Sequence, residues 1–362
     1  MQRTGVSDKL LFATVIGLVL FGLVMVHSAS AVVALDQQGT PYFYVQKQAM
    51  WAGIGLVGMC VAMHIDYRLY NKPWIVYGSL VVVVAALVAV FAFPAVNGAH
   101  RWIKGGGFQA QPSEIAKLVA VLFMAHRLDS GPSDRSQFWK VLVPCAAVAG
   151  LLAALVVAEP DLGTALGIGT ALVVMLFSAG VPLRQIALLP TAAAPFVIGL
   201  LVLVPFRMKR LGAFLDPWTD PTGSGYHVIQ SLLAVGSGGV WGLGLTQGRQ
   251  KLFYLPEPHT DFIFAVIGEE LGLLGALAVV AVFVVLGWRG LRAAGRAPDE
   301  FGTLLATGLT IIVVTQALFN ISVALALVPT KGIPLPFVSY GGSSLCISMT
   351  AMGVLLNVSQ GK

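Results

Sequence analysis

The sequence predicts an all-α polytopic membrane protein of about ten transmembrane helices, with a long ordered extracytoplasmic loop between spans seven and eight. Three observations carry this. Of the 362 residues, 57% are apolar and only 10% are charged, against roughly 45–50% and 25% in soluble domains. Mean hydropathy is +0.85. At roughly 20 apolar residues per span, the apolar content fills about ten spans and little else. A water-soluble enzyme, a disordered chain and a secreted disulfide scaffold are excluded. The chain, 1–362, reads as a single integral-membrane domain, with residues 206–260 as a cap loop within it.

The apolar runs cover residues 10–35, 48–65, 74–95, 113–127, 140–158, 162–180, 186–205, 261–288, 302–328 and 342–358. The first contains Ala29-Ser30-Ala31, which resembles a signal-peptidase site. Its apolar stretch runs well past the roughly 7–15 residues of a signal h-region, so it reads as a retained helix. Gly-rich neighbours suit close packing through small residues. Cys60, Cys145 and Cys346 lie far apart inside apolar runs, which favours packing roles over disulfides or a metal cluster.

Basic residues set the orientation. With the N-terminus inside, the inner segments hold Arg3, Lys9, Arg68, Lys72, Arg127, Arg135, Lys140, Arg184, Arg289, Arg292, Arg296 and Lys362. The short outer loops hold only Lys47, Arg101, Lys104 and Lys331. This asymmetry puts both termini in the cytoplasm. It also accounts for the net charge of +6. No basic run with interleaved aromatics points to nucleic acid.

Segment 206–260 is too long for a plain connection and not polar enough to be disordered. It contains Phe214-Leu215-Asp216-Pro217-Trp218, a Gly-rich stretch from Gly236 to Gly248, and Tyr254-Leu255-Pro256-Glu257-Pro258. Tyr226, Ile229, Leu232 and Leu233 have helical spacing and fit a helix lying on the membrane surface.

Ionisable residues inside spans are expensive and mark function by default. Gln111-Pro112-Ser113-Glu114-Ile115-Ala116-Lys117 opens span four. Pro112 and Ser113 read as a helix start, and Glu114 and Lys117 share a face and can pair. The pair serves either to close the bundle or to shape a cleft. In Glu159-Pro160-Asp161-Leu162-Gly163-Thr164, Pro160 ends one helix and Asp161 either caps the next or lines the cleft. His259-Thr260-Asp261-Phe262 opens span eight, where Asp261 meets the bilayer surface as a site residue or an N-cap. Glu269 and Glu270 lie about two to three turns deeper. One should meet a basic group and the other a backbone or hydroxyl donor.

Arg101, Lys104, Arg207, Lys209, Arg210 and Lys331 gather on the same outer side as these acids. Together they describe a cleft for a polyanionic headgroup such as a pyrophosphate, where Arg gives bidentate contact. A divalent cation bridging that pyrophosphate would be compatible with the cleft, although no ligand cluster supplies a site for one. Nor does a Walker loop or dinucleotide fingerprint appear.

These segments resemble the SEDS family, the membrane glycosyltransferases of bacterial cell-wall synthesis. The resemblance rests on Gly98-Ala99-His100-Arg101-Trp102-Ile103, the Gln111–Lys117 and Glu159–Thr164 stretches, and Leu255-Pro256-Glu257-Pro258-His259-Thr260-Asp261-Phe262. Pro334-Leu335-Pro336-Phe337-Val338-Ser339-Tyr340-Gly341-Gly342-Ser343-Ser344 completes it. Glu159 stands where Gln is frequent, and His100 where Arg or another polar residue is frequent. Phe214–Trp218 and Pro329-Thr330-Lys331-Gly332 look more like the division-type branch (FtsW) than the elongation-type branch (RodA).

The resemblance implies polymerisation of lipid II into β-1,4-linked glycan strands at the outer face of the bacterial inner membrane, with release of undecaprenyl pyrophosphate. It puts the catalytic carboxylate at Asp261, as general base for the acceptor hydroxyl. Arg101, Lys117, Arg210 and Lys331 are candidates to stabilise the leaving pyrophosphate. Glu114, Asp161, His259 and Ser339 complete the expected substrate-binding set. The implied partners are lipid II, the nascent glycan strand, a class B penicillin-binding transpeptidase and other division or elongation membrane proteins. Two other classes stay open: a flippase for the lipid-linked precursor and a non-catalytic division scaffold.

Overall fold

The computed structural model describes residues 7–94, 99–105, 108–202 and 205–361. Arg3, Gly98 and Lys362 of the sequence reading lie outside the described residues, as do the side chains of Lys104 and Arg207. Among the described residues, each apolar run carries a helix. They form α1 (Lys9–Gln38), α2 (Phe43–His64), α3 (Pro73–Ala89), α4 (Pro112–Asp129), α5 (Leu142–Ala158) and α6 (Leu162–Ser178). A short hairpin, β1 (Ile103–Gly105) and β2 (Phe108–Ala110), precedes α4. The expected single span 186–205 is divided into α7 (Leu183–Ile186) and α8 (Leu188–Val202). Pro190 falls in the first turn of α8, where its ring and missing N–H are tolerated, and Pro195 lies inside the same helix.

The segment after α8 carries further helices among the described residues. It forms α9 (Pro205–Leu215) and α10 (Tyr226–Ser237), followed by turns up to Phe262. On α10, Val228, Ile229, Ser231 and Ala234 are buried, whereas Leu232 and Leu233 are exposed. The face expected from Tyr226, Ile229, Leu232 and Leu233 is thus divided between the core and the surface.

The chain continues as α11 (Ile263–Ala294), α12 (Glu300–Ala324) and α13 (Gly342–Ser359). At Gly272 the backbone of α11 leaves the helical region, with φ 66° and ψ −166°, a conformation nearly confined to glycine. α12 is the central helix, packed against α4, α6 and α11, while α13 lies along α2. Among the described helices, α1, α3 with its 3₁₀ extension to Ala92, α11, α12 and α13 are long and apolar enough to cross a membrane. The chain is a multi-pass membrane protein.

Ion pairs close the end of the bundle where α1 and α12 begin and α11 ends. Arg289 reaches Asp8 (2.5 Å), Arg68 reaches Asp299 (3.1 Å), and Arg135 pairs with Glu300. Asp261 lies at the other end, before the first turn of α11.

Candidate active site

The stretch 255–262 is pinned from two sides. Asn320, on α12, donates through its side-chain amide to the backbone oxygens of Asp261 (2.8 Å) and Ile333 (2.7 Å). Ser339 donates to Thr260 O (2.5 Å) and accepts from Leu335 N (2.8 Å). Tyr340 N donates to His259 O (2.8 Å). Three backbone oxygens, those of His259, Thr260 and Asp261, are therefore held by α12 and by the loop before α13. The expected N-cap role of Asp261 is corrected: Phe262 holds that position, with no side-chain cap. The carboxylate is thereby left out of the helix cap.

Two cavities share that carboxylate. One, of about 380 Å³, is lined by Arg101, Gln111, Glu114, Lys117, Asp161, Asp261, Gln316 and Ser344, among others. The second, of about 510 Å³, is lined by Lys209, Arg210, His227, Asp261, Thr330 and Lys331, among others. Glu257 and Gly332 line both. A Cβ at Gly332 would sit 2.9 Å from Asp261 Oδ2, so any larger residue there would crowd the carboxylate.

Burial, with the neighbouring Glu257 charge, pushes the Asp261 carboxyl up from 3.8 to about 7, against the opposing pull of Arg101 and Arg210. Burial and Arg101 in turn lower Arg210, while Asp261 supports its charge. Asp261 and the two guanidiniums thus form one electrostatic unit.

Asp161 caps α6. It accepts from Thr164 N (3.1 Å), Thr164 Oγ1 (2.8 Å) and Gln111 Nε2 (3.2 Å). Both expected roles, cap and cleft-lining acid, fall on this side chain. Arg101 leans on the turn before it, donating through Nε to Glu159 O (3.0 Å) and through Nη2 to Pro160 O. Glu159 itself is fully buried, and neither of its carboxylate oxygens has a hydrogen-bond partner among the described residues. Burial pushes that carboxyl up to about 8.

Glu114 and Lys117 pair at 2.9 Å, with both side chains buried. Ser344 donates to Glu114 (3.0 Å), and Lys117 donates to Gln316 (2.6 Å). The Lys117 charge is therefore neutralised within the cavity wall. Lys117 lines the first cavity as the cationic half of that pair.

His259 and Ser339 line neither cavity. His259 stacks among Tyr44 (4.6 Å between ring centroids) and Tyr340 (5.6 Å), where burial lowers its basicity and favours the neutral ring. The two residues support the Asp261 stretch from behind. Sequence reasoning missed Gln316 and Asn320. Their signal was present: two carboxamides one helical turn apart in a run that is otherwise apolar. Among the described residues, no group of three or more His, Cys, Asp or Glu side chains could hold a metal ion.

The deeper acids meet the expected partners. Glu270 accepts from Lys251 (2.6 Å) and Ser28 (2.7 Å), and Glu269 from the backbone N–H groups of Arg249 (2.7 Å) and Gln250 (3.1 Å).

The chain resembles known proteins over nearly its whole length. It is 42% identical to a probable peptidoglycan glycosyltransferase FtsW from Geobacter sp. (strain M18), covering 99% of this chain and 98% of that one. It is 41% identical to stage V sporulation protein E of Bacillus subtilis (strain 168), covering 98% and 97%. A solved structure described as the structural coordination of polymerization and crosslinking by a peptidoglycan synthase complex matches with TM-score 0.79, at 28% identity over 98% and 97% of the chains. The crystal structure of the rod shape determining protein RodA of Thermus thermophilus matches with TM-score 0.71, at 26% identity over 98% and 96%. The family model for FtsW, RodA and SpoVE, described as cell cycle protein, matches residues 8–362. With a family match running from the first described turn to the last residue, this chain belongs to the FtsW/RodA/SpoVE family of cell cycle proteins.

Proposed function

We propose that this chain is a peptidoglycan glycosyltransferase that polymerises lipid II during cell division. The names of its curated relatives support this reading. The observation that carries the mechanism is the placement of one carboxylate, Asp261, in the wall between two cavities and between two guanidiniums. With a pKa near 7, this carboxylate is matched to proton abstraction at neutral pH.

In the proposed reaction, Asp261 takes the proton from the 4-hydroxyl of the acceptor's N-acetylglucosamine. The freed oxygen attacks the anomeric carbon of the donor's N-acetylmuramic acid, and the bond to the lipid pyrophosphate breaks. A single displacement inverts that carbon, so an α-linked donor yields a β-1,4 linkage. Arg101, Arg210 and Lys331 stabilise the departing pyrophosphate. Asp161 and the Glu114–Lys117 pair hold the shape of the first cavity. General-base catalysis supplies a factor of about 10²–10⁴, and much of the remainder comes from positioning the two lipids.

Ten crossings with both termini in the cytoplasm put Asp261 on the outer face of the inner membrane, where lipid-linked sugars are presented. The partner would be a class B penicillin-binding transpeptidase, in line with the synthase complex whose structure this chain resembles.

The test uses purified protein, with and without its cognate transpeptidase, given labelled lipid II and read for glycan strands on a gel. Wild type should form polymer, and Asp261→Asn should lower the rate at least about 10²-fold. Equal polymer from both would move the chemistry away from Asp261. If neither makes polymer with the partner and divalent ions present, while a vesicle assay shows lipid II translocation, the chain is a flippase.

A further inference from the structure

The Gly-rich stretch after α10 does not stay above the bundle. Leu243 N donates to Glu269 O and Gly244 N to Glu270 O (both 3.0 Å). Leu273 N donates to Gly239 O (2.9 Å) and Leu274 N to Val240 O (3.3 Å). The loop docks where α11 is interrupted at Gly272 and fills the hydrogen bonds that the interruption would leave open. Its root is clamped as well: the buried Glu269 and Glu270 carboxylates hold Thr246 N, Arg249 N and Lys251 Nζ.

The docking point lies well inside the helix. Gly268 to Gly272 are five to nine residues past Ile263, about 8–14 Å along the axis at about 1.5 Å per residue. The hydrocarbon core is about 30 Å thick, so this is the depth of one leaflet's acyl chains. At that depth irregular backbone survives only if protein satisfies its polar groups, and the bonds above do so. What the loop shows outward is apolar: Trp241 is 81% exposed, with Val240, Leu243 and Leu245 also exposed. These side chains continue the exposed face of α11 formed by Leu273, Leu274 and Leu277.

We infer that residues 238–245 are a re-entrant wedge, immersed in the leaflet on the Asp261 side, with Trp241 and its apolar neighbours against lipid acyl chains. The wedge is joined to the stretch 255–262 that carries Asp261 by residues 246–254, which include the clamped root and the turn closed by Leu255 N on Gln250 O (2.7 Å). Its grip on the hydrocarbon fixes the height of the carboxylate relative to the lipid headgroups. That last step rests on the proposed glycosyltransferase reading; the immersion does not.

The test is a depth measurement on the full chain in nanodiscs of phosphatidylcholine and phosphatidylglycerol, with the three native cysteines replaced. A nitroxide at Trp241→Cys should collide with oxygen and be shielded from a water-soluble nickel complex, and one at the exposed Thr222→Cys should show the reverse. A Trp241 label as open to nickel as the Thr222 label would overturn the inference. So would a label that becomes shielded only when a partner protein is added. In the polymerisation assay, Trp241→Asp should lower glycan yield at least about tenfold and Trp241→Leu less than about twofold, because a charge at this depth is costly. Equal yields from both would separate the wedge from catalysis and leave its immersion to the label.

Discussion

The pH behaviour of Asp261 follows from its neighbours. As a base it works only when ionised, so the polymerisation rate should rise with pH through about 7. Arg101 pulls that midpoint down. Arg101→Gln should therefore shift the rate–pH profile to higher pH, as well as lowering the maximal rate; an unchanged midpoint would separate the two groups. Glu159 makes a different prediction. Its carboxyl is raised from 4.5 to about 8 by burial, so the folded state holds a proton that the unfolded state releases. Stability from this group is complete below about pH 4.5 and is lost as pH rises toward about 8. Glu159→Gln removes that loss. Thermal unfolding in detergent at about pH 6 and about pH 9 should show wild type losing more stability than the variant across the interval. At this scale the sequence was legible wherever a charge broke an apolar run, as at Glu114, Lys117 and Asp261. Gly332 was not legible, because its role is to leave room beside Asp261, and an absent side chain has no signature among 41 glycines.

Between elements, the buried Glu114–Lys117 pair ties α4 to α12 through Gln316 and to α13 through Ser344. Removing one partner leaves a buried charge uncompensated, which costs about 3–5 kcal/mol, whereas removing both is far milder. Lys117→Met should lower the melting temperature of the purified protein sharply. Glu114→Gln combined with Lys117→Met should recover most of the loss; additive losses would mean that the pair does not act as a unit. The helices themselves were legible because continuous apolar runs need no tertiary information. The interruption of α11 was not. Gly272 has an ordinary position in an apolar run, and its conformation is set by the docked loop 239–244, a contact between residues about thirty positions apart in sequence. The same contact explains why segment 206–260, read as a cap with a surface helix, also docks beside α11.

For the whole molecule, the charge asymmetry and the ion pairs make one argument about orientation. The basic residues that the positive-inside rule counts include Arg68, Arg135 and Arg289, and those three close the end of the bundle away from Asp261. Salt bridges at that end and the two cavities at the other make a molecule with an electrostatically sealed face and an open one. Single cysteines in a cysteine-replaced background test which face is which. Ser133 is exposed in the loop between α4 and α5, on the sealed face, and Thr222 is exposed between α9 and α10, on the open one. In intact spheroplasts a membrane-impermeant thiol reagent should label Thr222→Cys at once, and Ser133→Cys only after permeabilisation. The reverse pattern would put Asp261 in the cytoplasm, where an outer-leaflet substrate could not reach it, and the proposed reaction would fail on geometry alone. Labelling of both sites from outside would mean that the bundle does not separate the two compartments, and the ten-crossing arrangement would fall with it.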